Sequence, residues 1–302
     1  MSKKKNSVGK VELDQCISFL ENKLYPNIIQ GLTDDMVEVY DVWKTGLPTF
    51  NSISGIGGLP KGRLIEIFGS EGVGKSSLAL KFIKVVQQAG GVALYLDYEH
   101  SFSTRYARIN GVSCTKDKFL FSQPECLEDG WDIIDALITN NLVDLIVLDS
   151  LASAPTRAEV EGDIGDSQIA VHARAVSHAL RKLTSKLGKS NTTLIFINQI
   201  RSKIQTMGYG RKETTPGGKS VKFYASMRFR MVRTKGIRRN INIDGLSQKI
   251  EVVSEIKVIA AKNKMAPPFK EGYLYLVHGA GVFEKVSVDK VLKELKRREN
   301  VK

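Results

Sequence analysis

The sequence is poor in the residues that build disulfide frameworks, metal centres and membrane spans. Its three cysteines (Cys16, Cys114 and Cys126) are odd in number and widely spaced, and its four histidines show no metal-ligand spacing. This pattern predicts neither a disulfide framework nor a zinc site, and it is typical of a reducing compartment. The chain lacks an apolar run of spanning length, and its basic start, MSKKKNSVGK, lacks the apolar stretch of an export signal. We therefore expect a cytoplasmic protein with no membrane partner.

Acidic residues are also in short supply. The chain has 45 Lys and Arg against 32 Asp and Glu, which gives a formal net charge of +13. Its hydrophobic fraction of 42% and charged fraction of 25% are ordinary for a globular protein, so the imbalance of sign is the unusual feature. It favours a polyanionic partner, either nucleic acid or an anionic membrane. At 302 residues the chain is long enough for a large core with one or two small appendages.

The strongest motif lies in residues 63–80, where an apolar strand and a helix flank a glycine-rich turn. The turn fits the pattern GxxxxGK[ST], and its residues are Gly69, Ser70, Glu71, Gly72, Val73, Gly74, Lys75 and Ser76. In this context the pattern predicts a phosphate-binding loop, because backbone N–H groups and the helix start attract phosphate oxygens. Lys75 would reach the outer phosphates, Ser76 would bind Mg²⁺, and Ser77 at the helix start would adjoin the nucleotide. A glycine-rich loop that binds nothing is the alternative.

Three further apolar strands end in polar residues. Residues 92–96 lead to Glu99, residues 145–148 lead to Asp149, and residues 193–197 lead to Asn198 and Gln199. Strands separated by helices predict a mostly parallel sheet covered by helices, and such sheets bind ligands at the carboxyl ends of their strands. An acid at a strand end downstream of a phosphate-binding loop predicts Asp149 as an Mg²⁺-linked residue that acts through water.

The chain divides into three predicted parts. Residues 1–35 are a disordered basic arm over residues 1–10 and then an amphipathic helix over residues 11–24, which packs on its own domain or on a neighbouring subunit. Residues 36–282 form the core, with an edge strand at 36–43, a loop at 52–62, a polar loop at 155–167, and late strands at 250–260 and 273–277. A long helix follows the polar loop directly, with Asp166 or Ser167 as its N-cap, and ends at about Leu187. Residues 283–302 contain a short basic helix.

Residues 201–240 are the most basic part of the chain. They contain twelve Lys and Arg residues against one acid, Glu213. The first portion, residues 205–219, has four glycines and a proline and shows no periodicity, which predicts a functional loop. Basic groups for phosphates, with Met207 and Tyr209 available to stack on bases, are typical of single-stranded nucleic-acid binding. The alternative is a solvated basic face.

Together these segments resemble the bacterial-type RecA strand-exchange recombinases over residues 43–282. The resemblance is carried by GGLPKGRLIEIFGSEGVGKSS, LDYEHSF, LIVLDS, EVEGDIGDS, TLIFINQIR, ETTPGGKSVKFYAS and AKNKMAPPF, which stand in the family's order. It implies an α/β fold with a P-loop ATPase core, ATP and Mg²⁺ as cofactors, and a helical filament of identical subunits. It also implies that the chain pairs single-stranded DNA with homologous double-stranded DNA.

The resemblance further implies roles for individual residues. Glu99 matches the catalytic glutamate, Gln199 matches the glutamine that senses the γ-phosphate, and Tyr106 falls where a tyrosine stacks on adenine. Lys262 and Lys264 match two lysines that reach the ATP of the neighbouring subunit. Residues 159–168 and 205–219 match the two DNA-binding loops. The candidate DNA contacts are Ile169, Arg174, Arg201, Met207, Tyr209, Arg211, Lys212, Gly217, Gly218 and Lys219.

The chain departs from the family pattern in four places. Ile169 replaces a methionine, Ser103 replaces an acid, and the second loop is one residue longer, with Met207-Gly208-Tyr209 in place of a Met-Phe pair. We expect the family's globular C-terminal domain and acidic tail to be absent, with a basic helix in their place, as in a phage-borne or diverged member.

Two hypotheses for the function follow, and a third class fits less well. The first is an ATP-dependent recombinase that exchanges DNA strands. The second is a RecA-like accessory ATPase that binds DNA or caps filaments, which loss of Glu99, Gln199 or both loops would have favoured. An unrelated motor such as a hexameric helicase fits poorly, because the paired loops and the Lys262-Asn263-Lys264 segment match recombinases.

Overall fold

The computed structural model describes residues 3–24, 39–162, 169–202, 213–214, 218–243 and 246–285. The chain divides into two compact units, Met1–Val39 and Tyr40–Lys302. The described part of the first unit contains helix α1 (Lys3–Lys23). The helix begins at Lys3 rather than at residue 11, so the expectation of a disordered arm is wrong for residues 3–10. Lysine is a good helix former, and no proline stands before Pro26 to prevent this longer helix.

The second unit alternates strands and helices. Its helices are α2 (Pro48–Ser54), α3 (Lys75–Gln88), α4 (Thr104–Ile109), α5 (Leu127–Thr139), α6 (Arg157–Glu161), α7 (Ile169–Leu187) and α8 (Gly218–Tyr224). Its strands are β1 (Val42–Trp43), β2 (Leu59–Pro60), β3 (Leu64–Gly69), β4 (Ala93–Asp97), β5 (Phe119–Ser122), β6 (Leu145–Asp149), β7 (Thr193–Gln199), β8 (Arg201–Ser202), β9 (Glu213–Thr214), β10 (Met227–Ile243), β11 (Leu246–Asn263), β12 (Glu271–Val277) and β13 (Gly281–Phe283).

Nine of the strands that the structure describes form one sheet in the order β13-β12-β11-β10-β3-β7-β6-β4-β5. The neighbours from β10 to β5 pair in parallel, whereas β11 pairs antiparallel with β10 and with β12, and β12 pairs antiparallel with β13. The predicted α/β class with a mostly parallel sheet is therefore confirmed. In a parallel sheet the strands share one direction, so the ends of β3, β4, β6 and β7 meet at one edge.

Helices cover both faces of the parallel strands. Ile65 and Ile67 of β3 pack in a core with Phe50 of α2 and Phe82 of α3, whose ring centroids are 4.8 Å apart. On the opposite face Leu64 and Phe196 pack with residues of α5 and α7. This double coverage explains why consecutive residues of these strands are apolar, rather than every second residue.

Several local expectations are corrected. The edge strand expected at 36–43 is only β1 within residues 39–43, and it pairs with β2. The loop expected at 52–62 contains the end of α2, which begins with Pro48 in its first turn, together with β2. The polar loop at 155–167 contains the short helix α6, whose start is closed by a capping box between Thr156 and Glu159.

Strand β10 was not expected from the sequence. Met227, Phe229 and Met231 are buried and alternate with Arg228 and Arg230, which is the period-two pattern of a strand. The excess of basic residues masked this pattern. The expected late strands correspond to longer elements, β11 and β12, and β10 and β11 form one long hairpin. The predicted C-terminal helix lies outside the described residues.

Candidate active site

The glycine-rich turn lies between β3 and α3, as its sequence predicts. Gly72 and Gly74 have φ angles of +68° and +89°, a left-handed conformation that glycine adopts without strain. Gly74 stands at the N-cap of α3, so the turn opens directly onto a helix N-terminus. Val73 is buried beneath the turn and does not line the cavity above it. This geometry fits a phosphate group, because the turn leaves space beside backbone N–H groups and a positive helix end.

Lys75 lies under the turn and contacts two of its carbonyl oxygens. Its Nζ donates to the oxygens of Gly69 and Ser70 over 3.3 and 2.8 Å. Burial lowers the pKa of Lys75, while the nearby carboxylates of Asp149, Glu99 and Glu71 act in the opposite direction. A nearby negative charge stabilises the charged form of a desolvated ammonium group. The position of Lys75 therefore favours the binding of phosphate groups.

Asp149 at the end of β6 adjoins the start of α3. Its Oδ2 accepts hydrogen bonds from Ser76 Oγ over 2.6 Å and from Tyr95 Oη over 2.5 Å. Burial is the main cause that raises the pKa of Asp149, and Glu99 adds to it, whereas the two hydroxyl donors lower it. The pair of a hydroxyl and a carboxylate supplies the hard oxygen donors that Mg²⁺ prefers. Within the described residues no cluster of three or more His, Cys, Asp or Glu residues could hold a metal alone.

Glu99 and Gln199 come from different strand ends and meet at the cavity. Gln199 Nε2 donates a hydrogen bond to Glu99 Oε1 over 2.9 Å. Ser153 Oγ contacts the same carboxylate oxygen over 3.4 Å. Both side chains are partly exposed, so the carboxylate faces the space above the glycine-rich turn. The sequence placed each residue at a strand end, and the sheet brings them together.

The cavity above these residues has a volume of about 410 Å³. Its lining includes ten residues predicted from the sequence: Glu71, Gly72, Gly74, Lys75, Ser76, Ser77, Glu99, Tyr106, Asp149 and Gln199. Tyr106 reaches it from α4, and its hydroxyl is 2.8 Å from Ser77 Oγ. Gly69 and Ser70 do not line the cavity, although they form the turn.

Three lining residues were missed by the sequence analysis: Leu276, His278 and Gly279. They belong to the end of β12 and the turn after it. A Cβ atom on Gly74 would lie 3.2 Å from the Leu276 side chain, so this segment packs close to the turn. The only signal in the sequence was a strand followed by a Gly-containing turn. This signal does not indicate which part of the molecule the end of that strand contacts.

Lys262 and Lys264 lie away from this cavity, and neither contributes to its lining. Lys262 Nζ donates to the carbonyl oxygens of Lys222 and Phe223, at the end of α8, over 2.6 and 2.8 Å. Lys264 Nζ is 5.9 Å from the centroid of the Phe223 ring. Desolvation lowers the pKa of Lys262 to about 8, and the like charges of Lys264 and Arg228 add to this shift.

The candidate DNA contacts are only partly described. Ile169 begins α7, and Arg174 is exposed one turn later on the same helix. Arg201 is in β8 and pairs with Thr214 of β9, so a short strand lies within the expected loop 205–219 and pairs with the segment that precedes it. Gly218 and Lys219 lie in α8, so the expectation that they belong to a loop is wrong. The following candidates lie outside the described residues: Met207, Tyr209, Arg211, Lys212 and Gly217.

Comparison with known proteins decides the family. The model of the RecA N-terminal domain matches residues 11–283. The chain belongs to the RecA family. It is 44% identical over 263 residues to Protein RecA of Desulforapulum autotrophicum, covering 87% of this chain and 73% of that protein. It is 42% identical over 278 residues to Protein RecA of a Wolbachia from Drosophila simulans, covering 92% and 75%.

The structural comparison agrees with the fold. The crystal structure of the RadB recombinase matches with a TM-score of 0.55 and 20% sequence identity, covering 80% of this chain and 98% of that one. At this identity the match bears on the fold alone. The RecA relatives, similar over most of the chain, make this protein an ATP-dependent recombinase that hydrolyses ATP in a DNA-dependent manner. Within the described residues, no helix is long and apolar enough to span a bilayer.

Proposed function

We propose that this chain binds ATP with Mg²⁺ in the cavity above the glycine-rich turn and uses it to assemble a filament on single-stranded DNA. The filament then pairs that strand with a homologous duplex and exchanges strands. The observation that carries the proposal is the hydrogen bond from Gln199 to Glu99 beside the turn. It joins a candidate hydrolytic carboxylate to the strand that leads into the basic second loop.

The nucleotide would be held by the residues that line the cavity. Lys75 would exchange its bonds to the Gly69 and Ser70 carbonyl oxygens for bonds to phosphate, and Tyr106 would face the adenine. A bound Mg²⁺ would supply positive charge that stabilises the phosphate oxygens during hydrolysis. Ser76 and, through water, Asp149 would hold it. Their mutual hydrogen bond of 2.6 Å supports this assignment, because it keeps two oxygen donors together.

Glu99 would orient the attacking water and accept its proton. Its carboxylate is partly exposed, and the Gln199 amide and the Ser153 hydroxyl both contact Oε1, which leaves Oε2 for a water molecule. Gln199 would sense the outer phosphate through the same amide. Because β8 follows Gln199 almost directly, a shift of this residue would move the start of the second loop.

Basic residues outside the cavity would contact DNA and the neighbouring subunit. Arg174 on α7 and Lys219 on α8 are exposed cations that would contact DNA phosphates, together with the loop residues that lie outside the described part. Lys262 and Lys264 stand away from their own cavity, which supports a role at the cavity of a neighbouring subunit in a homo-oligomeric filament. We also propose that the chain divides into three parts at residues 35 and 282 and that the protein is located in the cytoplasm.

A strand-pairing assay tests the proposal. Purified protein is mixed with a labelled single strand, a homologous supercoiled duplex, ATP and Mg²⁺, and joint molecules are measured. We expect joint molecules with wild type and with Lys84→Ala, a lysine of the same helix α3 outside the cavity lining. We expect none with Lys75→Ala. ATP hydrolysis and DNA binding by wild type without joint molecules would favour the accessory ATPase instead.

A further inference from the structure

The buried carboxylate of Glu66 connects two strands behind the phosphate-binding turn. Glu66 lies on β3, between β7 on one side and β10 on the other, and its relative exposure is 0%. Asn198 Nδ2 donates to Glu66 Oε1 over 3.0 Å. Arg228, opposite Glu66 on β10, donates to the second carboxylate oxygen through Nε. Both oxygens of one carboxylate are therefore engaged, by residues from two different strands.

This arrangement continues to the cavity through the backbone of β7. Asn198 Oδ1 accepts a hydrogen bond from the Gln199 N–H over 3.1 Å. The side chain of Asn198 is thus held on one side by Glu66 and holds the backbone of Gln199 on the other. Gln199 in turn donates its side-chain amide to Glu99. A continuous series of polar contacts runs from Arg228 through Glu66, Asn198 and Gln199 to Glu99.

Arg228 is itself fixed in place. Its guanidinium lies 4.4 Å from the centroid of the Phe68 ring, and its side chain is 11% exposed. It also adjoins Lys262 closely enough to lower that lysine's pKa. Lys262 stands opposite Arg228 on β11 and donates to carbonyl oxygens at the end of α8, the helix that follows the second loop, so the series reaches α8 through Lys262. Replacing both members of a buried ion pair by apolar residues of similar volume is often neutral or stabilising, so stability alone does not account for this pair.

We propose that Glu66 is a positioning residue for the hydrolytic step. It holds Asn198 so that Gln199 points at Glu99, and it links this alignment through Arg228 and the neighbouring Lys262 to the end of α8. Loss of the carboxylate leaves the phosphate-binding turn intact and lets Gln199 rotate away from Glu99. This inference rests on the proposed roles of Glu99 and Gln199 in ATP hydrolysis.

The test separates nucleotide binding from DNA-stimulated hydrolysis. Glu66→Gln keeps the acceptor for Asn198 and removes the charge that faces Arg228. Glu66→Leu combined with Arg228→Met removes the whole pair and leaves no unpaired buried charge. This double variant provides the test if Glu66→Gln does not fold. For each we would measure the dissociation constant of a fluorescent ATP analogue, kcat of ATP hydrolysis with and without single-stranded DNA, and the melting temperature.

We expect the dissociation constant to change less than about twofold, while DNA-stimulated kcat falls by about tenfold to hundredfold, the loss that misplaced groups typically cause. The control is Gln87→Leu, which removes a buried side chain with three hydrogen bonds on the same α3 helix as the turn. The Gln87→Leu variant should have a lower melting temperature than the wild type, while single-stranded DNA should still stimulate its ATP hydrolysis. Wild-type stimulation in the double variant, Glu66→Leu with Arg228→Met, would overturn the inference, as would equal losses of affinity and kcat. No DNA stimulation in wild type would instead contradict the proposed function.

Discussion

Glu99 and Gln199 are a hundred positions apart in sequence, and their side chains are joined by a hydrogen bond of 2.9 Å across the ends of β4 and β7. The two strands are not adjacent, because β6 lies between them in the sheet. The contact therefore spans the end of β6, where Asp149 binds Ser76. One edge of the sheet thus unites the candidate base, the candidate sensor and the candidate Mg²⁺ residues.

Glu99→Gln tests the role of the carboxylate. The amide keeps the size and an acceptor for Gln199 but cannot take a proton, so we expect kcat of ATP hydrolysis to fall by about 10²- to 10⁴-fold. Nucleotide affinity should change little, because Lys75 and the turn are untouched. Steady-state kinetics and equilibrium titration measure the two quantities. Glu125→Gln, an exposed carboxylate outside the cavity lining, is the control. A fall of less than about threefold would exclude Glu99 as general base.

Mixing two inactive variants tests whether Lys264 acts on a neighbour. Lys75→Ala removes the phosphate-binding lysine from a subunit's own cavity. Lys264→Ala removes the lysine that the subunit would place at the cavity of the next subunit. In a randomly mixed head-to-tail filament at equal amounts, about a quarter of the interfaces pair an intact cavity with an intact lysine. We therefore expect each variant alone to be inactive and the mixture to regain about a quarter of wild-type ATPase activity. No recovery, in a mixture shown by sedimentation to co-assemble, would contradict the trans role.

Asp149→Asn separates metal binding from stability. Burial raises the pKa of Asp149, so its contribution to folding is favourable below its unfolded value of 3.8 and is lost as pH rises through the folded pKa. An asparagine at this position does not titrate, so the variant lacks this loss of stability. We expect the free energy of unfolding of the nucleotide-free variant, relative to that of the wild type, to rise as the pH increases above 3.8, as measured by urea denaturation.

The same variant should lose the dependence of nucleotide binding on Mg²⁺, because a charged oxygen is replaced by a neutral amide. Titration of nucleotide with and without Mg²⁺ measures this. Asp117→Asn, at an exposed position, provides the matched carboxylate control. Retained Mg²⁺ dependence would remove Asp149 from the metal site.

Lys262→Met tests the position of Lys262 at the end of α8 through pH. The folded pKa of about 8 lies below the ordinary lysine value of 10.5, so the unfolded chain binds more protons between these values. The contribution of Lys262 to stability is therefore smallest below pH 8 and increases towards pH 10.5. We expect the wild-type free energy of unfolding, relative to the variant, to rise over this window. A difference that stays constant from pH 7 to pH 10 would show that the amine is not desolvated in solution.

Much of the fold and the site could be predicted because the relevant signals are local. The strand, turn and helix around Lys75 are set by consecutive residues, and α7 has the apolar spacing of a helix with one buried face. Glu99, Asp149 and Gln199 could be placed at one edge because apolar strands between helices run in parallel. Strand β10 could not be predicted, because its many basic residues obscured the alternation of apolar and polar side chains. That alternation is evident only from which side chains are buried in the structure.

By itself, then, the sequence determined the phosphate-binding turn, the parallel sheet and the polar residues at its strand ends, since each depends on short stretches of chain. The tertiary structure alone decided which strand ends meet. It brought Leu276 and His278 to the wall of the cavity, and it paired Glu66 with Arg228 from 162 positions away. It also placed Gln199 against Glu99. These contacts depend on strand order and register, which follow from the packing of the whole core rather than from any one segment.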